Sequence, residues 1–173
     1  PEVDVVYVAS PHSCHKDNTL LFLDAGKPVL CEKPFALNRA QAETMVARAR
    51  EGNLFLMEAM WTRFLPAVAA VRKLLDEGAI GEVRMVQADF GFRTEWEAGN
   101  RILDPSYGGG SLLDVGVYCV ALASMVYQRP PCTLTSQAFI GETGVDEQAA
   151  LLLGYEHGAL ALLSCAVRTE TPQ

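Results

Sequence analysis

Two groups of residues have the types and spacing to do chemistry. The first is Cys31-Glu32-Lys33-Pro34, at the end of the short apolar run Pro28–Cys31. If that run is a strand of a parallel sheet, Lys33 stands at a carboxyl end, where open α/β sheets bind their ligands. A lysine there can hydrogen-bond a substrate hydroxyl or lower the pKa of a neighbouring acid; an exposed turn lysine before a proline is the plain alternative. The second group is Gly108-Gly109-Gly110-Ser111-Leu112-Leu113-Asp114-Val115-Gly116-Val117-Tyr118. Glycines let backbone approach a ligand closely. Asp114 and Tyr118 are four apart, so they share a face of a helix. A carboxylate on so apolar a helix needs a partner or solvent. The structural alternatives are that Asp114 complements the positive helix N-terminus, worth about 0.3–1 kcal/mol, and that Tyr118 is a core tyrosine.

The elements that must position these groups alternate over the first sixty residues. Val3–Ala9 is a β-branched run of the kind buried on both faces of a sheet. Ser10–Ser13 is a turn, and Leu20, Leu21, Leu23 and Ala25 give 15–25 a helical spacing closed by Gly26. Pro28–Cys31 is a second strand, Asn38 caps a helix over 39–50, and Leu54–Met57 is a third strand. Strand–helix–strand–helix–strand at this spacing predicts right-handed crossovers and a parallel sheet. The pattern then changes near residues 58–65. An amphipathic helix is predicted over 66–77, with Val68, Val71, Leu74 and Leu75 on one face. Residues 83–92 alternate as an antiparallel strand would, 93–110 form a polar, Gly-rich loop, and 111–127 form an apolar helix. Three strands follow at 133–140, 147–154 and 159–167, separated by turns. This half is α+β with a mostly antiparallel sheet, and the two parts divide as residues 1–60 and 61–173.

Composition bounds the partners. Half of the 173 residues are hydrophobic, a fifth are charged, and the net charge is −7, with no basic run. A globular core is expected, and nucleic acid is disfavoured as a partner because phosphate binding needs clustered Lys and Arg. No apolar stretch reaches membrane-spanning length without a charge or a turn, so no membrane partner is expected. Cys14, Cys31, Cys119, Cys132 and Cys165 are scattered with no C-x-x-C pair, which fits a reducing cytosol. His12, Cys14 and His15 are close in sequence, but no second His/Cys cluster completes a metal site, and no metal is expected.

Taken together, the motifs are specific. Glu32-Lys33-Pro34, then Met57-Glu58-Ala59-Met60-Trp61-Thr62-Arg63-Phe64, then Gly109–Tyr118 resemble, in order and spacing, the core of the glucose–fructose oxidoreductase/inositol dehydrogenase (Gfo/Idh/MocA) family. The resemblance runs along essentially the whole chain. The Met-Glu-Ala-Met-Trp-Thr-Arg-Phe segment and the tyrosine at 118 narrow it toward the dihydrodiol dehydrogenase and NADP-linked xylose dehydrogenase branch. The resemblance implies the C-terminal half of a Rossmann-like parallel-sheet domain followed by an α+β substrate-binding and dimerisation domain. It implies hydride transfer between NADP (or NAD) and the CH–OH group of a sugar, polyol or trans-dihydrodiol. By the same resemblance, Lys33 touches nicotinamide ribose and substrate, its bond to Pro34 is cis, and Tyr118 is the general acid/base. Asp114 then orients substrate or supports the Lys33/Tyr118 pair. Ser10, Pro11, His12 and Glu32 contact the cofactor, Trp61 and Arg63 line the cofactor and substrate cleft, and Phe90 adds an apolar wall, with Trp96 nearby. Tyrosine, with a free pKa of about 10, is a poor base at neutral pH unless a cation such as Lys33 stabilises its phenolate.

The chain departs from the family pattern in one respect. It has no Gly-x-Gly-x-x-Gly turn for the pyrophosphate and no residue that chooses NAD or NADP; in relatives these precede the position of Pro1. With Pro1 in place of a start methionine and an end just past a strand pattern, an interior piece is expected, binding NAD(P) weakly on its own. The apolar strands over 147–154 and 159–167 suggest an open sheet face for a homodimer. A non-catalytic dinucleotide-binding or dimerisation protein of the same fold is the alternative. Retention of Lys33, Asp114 and Tyr118 together argues against it, and self-association with no effect of NADPH on stability would favour it.

Overall fold

The computed structural model of the chain describes residues 2–97 and 99–172; Pro1, Ala98 (within the expected 93–110 loop) and Gln173 lie outside the described residues. The described chain separates into two units: residues up to Ala59 together with Ser106–Gly108, and Met60–Pro105 together with the residues from Gly109 onward.

In the first unit, β1 (Val6–Val8), β2 (Val29–Cys31) and β3 (Leu56–Glu58) pair side by side, all parallel, in the order β1-β2-β3. The register aligns Val8 with Cys31 and Cys31 with Glu58, so all three carboxyl ends meet along one edge. Helices α1 (His15–Asp24) and α2 (Arg39–Glu51) return the chain between them. Gly26, at φ +71°, ends α1, with its N–H and that of Lys27 donating to the carbonyls of Leu23 and Phe22. The Asn38 side chain caps α2 by accepting from Gln41 N at 3.0 Å. The core is Val8, Leu23, Val29, Cys31, Met45 and Ala49. Burying side chains such as Val29 and Met45 completely stabilises by about 1.5–3 kcal/mol each. The expectation that Val3–Ala9 is a strand buried on both faces is corrected. Only Val6–Val8 enters the ladder: Val6 and Val8 face the core with Val29 and Cys31, while Tyr7 points to the opposite face and is exposed, as are Val3 and Val5 ahead of the strand.

In the second unit, α3 (Pro66–Asp76) is followed by β4 (Met85–Gly91), a π-helical turn (Leu112–Gly116) continuous with α4 (Val117–Tyr127), and then β5 (Thr133–Ile140), β6 (Asp146–Gly154) and β7 (Leu160–Ala166). The sheet order is β4-β7-β6-β5, with β5–β6 and β6–β7 antiparallel. The expectation that 83–92 is an antiparallel strand is corrected, since β4 lies parallel to β7 from Met85↔Leu160 to Gly91↔Ala166. Alternation reports that one face is dry and the other wet; it carries no information about the direction of the partner. The dry face does match, with Val86, Ala88 and Phe90 packed beside Ala161, Leu163 and Leu153 and against Cys119, Ala123 and Tyr127 of α4. By length and hydropathy alone, Pro105–Tyr127 could cross a membrane, a property shared by core helices, and here Val115, Cys119 and Ala123 are buried inside the unit. The amphipathic pattern of 66–77 does form a helix, yet its stripe is left open: Val71 is 47% and Leu74 51% exposed among the described residues.

Candidate functional site

The shared carboxyl edge of the first sheet delivers three segments. Ser10-Pro11-His12 follows β1, Glu32-Lys33-Pro34 follows β2, and Glu58 ends β3. The Lys33–Pro34 peptide is cis. Backbone bonds continue the ladder into this edge, from Glu32 N to the Val8 carbonyl at 2.9 Å and from Ala59 N to the Cys31 carbonyl at 2.7 Å. The carboxylates here are engaged. Glu32 accepts from the Tyr7 hydroxyl through Oε1 and from Lys33 N through Oε2 at 3.0 Å, and Glu58 Oε1 accepts from Phe35 N at 2.9 Å. The bond to Glu32 raises the Tyr7 pKa, with desolvation adding to it. The ring of His12 is buried and its Nδ1 donates to the Gly108 carbonyl at 2.9 Å, while the Ser10 hydroxyl accepts from Asn18 at 2.9 Å. Tyr7 and Glu58 were not singled out from the sequence. The available signal was strand register, which places Glu58 level with Cys31 once the three strands are accepted as parallel.

In the second unit, three of the expected residues come together. Trp61 Nε1 donates to the Tyr118 hydroxyl at 3.0 Å, with the two rings edge-on at 6.1 Å, and Phe90 lies 5.5 Å from the Tyr118 ring. Tyr118 is half-buried rather than a core residue. Its hydroxyl is therefore oriented by an indole N–H and its ring is braced by Phe90. Arg63 Nη2 donates to the Ala121 carbonyl at 3.3 Å, which ties the Trp61–Phe64 turn to α4. Asp114 is 5% exposed, and Arg101 from the preceding loop approaches its Oδ1 at 3.2 Å. A partner that a carboxylate on an apolar helix requires is thus a loop arginine that the sequence did not single out. The start of the helix is served by a different acid, since Asp146 Oδ2 accepts from Ser111 Oγ and from Leu112 N, both at 2.7 Å. Asp114 lies in the same first turn, so the alternative that it complements the positive helix start stands beside the Asp146 contacts.

The triple glycine serves the chain itself. A Cβ at Gly108 would strike Leu37, one at Gly109 the Ile102 carbonyl, and one at Gly110 the Asp146 carboxylate, with Gly108 and Gly110 at positive φ. The close approach expected of this loop is made by protein atoms.

Ser10, Pro11, His12, Glu32 and Lys33 thus belong to the first unit, and Trp61, Arg63, Phe90, Asp114 and Tyr118 to the second. Residues 1–60 match the oxidoreductase family with NAD-binding Rossmann fold, and residues 68–173 match the GFO/IDH/MocA C-terminal domain. The chain is 43% identical over 173 residues to the trans-1,2-dihydrobenzene-1,2-diol dehydrogenase of Xenopus tropicalis, covering 99% of this chain and 52% of that protein. The Mus musculus protein of the same name is also 43% identical, with 99% and 51% covered. Among solved structures, an aldose-aldose oxidoreductase from Caulobacter crescentus, complexed with glycerol, superposes with a TM-score of 0.92 at 31% identity, covering 98% of this chain and 52% of that one. A 3-ketoreductase from Actinomadura kijaniata, in complex with NADP and TDP-benzene, gives 0.83 at 34% identity, with 97% and 52% covered. The chain spans about half the length of the curated relatives it matches. With one domain signature over each part and relatives along its full length, the chain belongs to the GFO/IDH/MocA oxidoreductase family.

Proposed function

We propose that this chain is part of an NAD(P)-dependent oxidoreductase that interconverts a CH–OH group and a carbonyl on a small carbohydrate, polyol or trans-dihydrodiol. The observation that carries the proposal is the Tyr118 phenol, oriented by Trp61 and braced by Phe90 on a buried helix. The diol and aldose substrates named for the relatives set the substrate class, and the NADP in the 3-ketoreductase favours NADP. The parallel sheet suits the nicotinamide end of such a cofactor, since polar groups of Ser10, Glu32 and Lys33 stand at its carboxyl edge. When bound, the nicotinamide accepts or returns the hydride.

The residues of the chain supply the rest. Tyr118 takes the hydroxyl proton in the oxidising direction and returns it in the reducing one. Lys33, at the carboxyl edge of the first sheet, bonds the substrate oxygen. Glu32, fastened by Tyr7, holds the Lys33 backbone N–H. Asp114, paired with Arg101, steadies the helix that carries Tyr118. The test is substitution. Tyr118→Phe and Lys33→Met in the intact protein should each lower turnover about 10²- to 10⁴-fold, and near-normal turnover in both would end the assignment.

The outer face of the second sheet supports a homodimer. Leu152 and Leu162 lie side by side there at 44% and 39% exposure, with Met85 and Phe139 on the same face at 58% each. Leu152→Glu with Leu162→Glu should yield monomers in sedimentation, whereas an unchanged dimer would place the interface elsewhere. All five cysteines are free, which suits the cytoplasm we propose as its location; fractionation into an oxidising compartment would contradict it.

A further inference from the structure

His15 is the first residue of α1 and has no solvent exposure. Its Nδ1 lies 2.8 Å from the Pro34 carbonyl oxygen and its Nε2 lies 2.8 Å from the Ser10 carbonyl oxygen. Neither oxygen can donate. A neutral imidazole has one N–H and one lone pair, so either neutral tautomer would set a lone pair against a carbonyl at hydrogen-bond distance. Both contacts are attractive together only when both nitrogens carry hydrogen. Such a buried cation is tolerable when its hydrogen bonds are charge-assisted and complete, and these two leave no ring N–H unused. The helix start opposes a cation, and in the same first turn Lys16 and the exposed Asp17 pair with each other at 3.0 Å, so they add little net charge beside the ring. The neighbouring ring of His12, with centroids 5.8 Å apart, spends its Nδ1 on the Gly108 carbonyl.

We propose that His15 is a positioning residue, held as an imidazolium, that staples the Ser10 loop to the Pro34 loop and so fixes Lys33. The two carbonyls belong to the segments after β1 and β2, at the edge where Ser10-Pro11-His12 and Glu32-Lys33 emerge. Pro34 follows Lys33 directly, so a tether on its carbonyl sets the path of the lysine backbone from one side, while the bond from Lys33 N to Glu32 sets it from the other. His15 touches no reacting atom, and its effect passes through Lys33. The staple stands on the geometry alone; its consequence for turnover rests on the oxidoreductase reading.

Two measurements on the intact protein test it. Long-range ¹H–¹⁵N correlation on ¹⁵N-histidine protein, with the His15 ring signals assigned by their loss in His15→Gln, should show both His15 ring nitrogens protonated. A single N–H with one lone-pair nitrogen would overturn the staple. In the second, His15→Gln, whose one amide nitrogen cannot span both carbonyls, should lower turnover about tenfold or more. Adding Lys33→Met to it should then lower turnover little beyond Lys33→Met alone. Multiplying losses would show that His15 does not act through Lys33. A protein with no dehydrogenase activity at all would fail the oxidoreductase reading, and the ring signature would still decide the staple.

Discussion

Gly116→Ala is expected to destabilise the turn that carries the proposed acid/base, for a reason confined to one contact. Gly116 lies midway between Asp114 and Tyr118 and has ordinary right-handed dihedrals, φ −60° and ψ −28°, so alanine meets no backbone strain. A methyl there would sit 2.8 Å from Cys165 Sγ and 3.0 Å from Leu112 Cδ1. Leu112 is half-exposed and can turn aside. Cys165 is buried in β7, between the β6 and β4 ladders, and cannot. Overpacking of this kind costs about 1–3 kcal/mol, while replacing a helical glycine returns about 0.5–1 kcal/mol. The net is a loss of up to about 2.5 kcal/mol. In a Cys165→Ala background the Sγ is gone, so the same substitution should become neutral or stabilising. Denaturant unfolding of the four proteins gives the cycle directly, and turnover should fall only where Cys165 is retained. Equal effects in both backgrounds would refute the claim that the helix is seated by this glycine–cysteine contact.

Two further outcomes follow from the same structure. Arg101→Met removes the cation beside a nearly buried carboxylate. Because Arg101 itself is half-exposed, the cost should be about 1–3 kcal/mol, below that of a fully buried pair, and Asp114→Asn in that background should restore part of it; no change in unfolding free energy would show the pair to be idle. Burial pushes the Cys31 and Cys119 thiols up from 9.0 to about 11. A raised value in the folded state means stability intact below about pH 9 and lost as pH climbs toward about 11, by roughly 2.7 kcal/mol per thiol at most. Cys31→Ala should flatten that alkaline decline relative to the parent, and an unchanged slope would contradict it.

The sequence showed the elements well because their signals were local. Asn38, Gly26 and the β-branched runs acted where they stood. The direction of β4 was hidden because a strand with one buried face alternates whichever way its neighbour runs, and β7 lies seventy-odd residues away. The site was legible as far as motifs reach. Lys33 and Tyr118 came from pattern, and Trp61 and Phe90 do meet Tyr118 as ring neighbours. The supporting residues were not legible. Tyr7, Arg101, Asp146 and the double bonding of His15 depend on register and loop path, which residue types do not encode. The glycine run shows the limit from the other side, because its composition suggested a ligand while its atoms make room for Leu37, Ile102 and Asp146.

The central claim is hydride transfer from a carbinol carbon, and isotope transfer tests it most directly. The intact protein would be incubated with NADP and a trans-dihydrodiol or aldose bearing deuterium on the reacting carbon, and the nicotinamide product analysed by mass. The account predicts one deuterium at C4 of the reduced nicotinamide, at a rate that collapses in Tyr118→Phe. Unlabelled or unreduced cofactor across diols, polyols and aldoses would contradict it and favour a non-catalytic member of the fold.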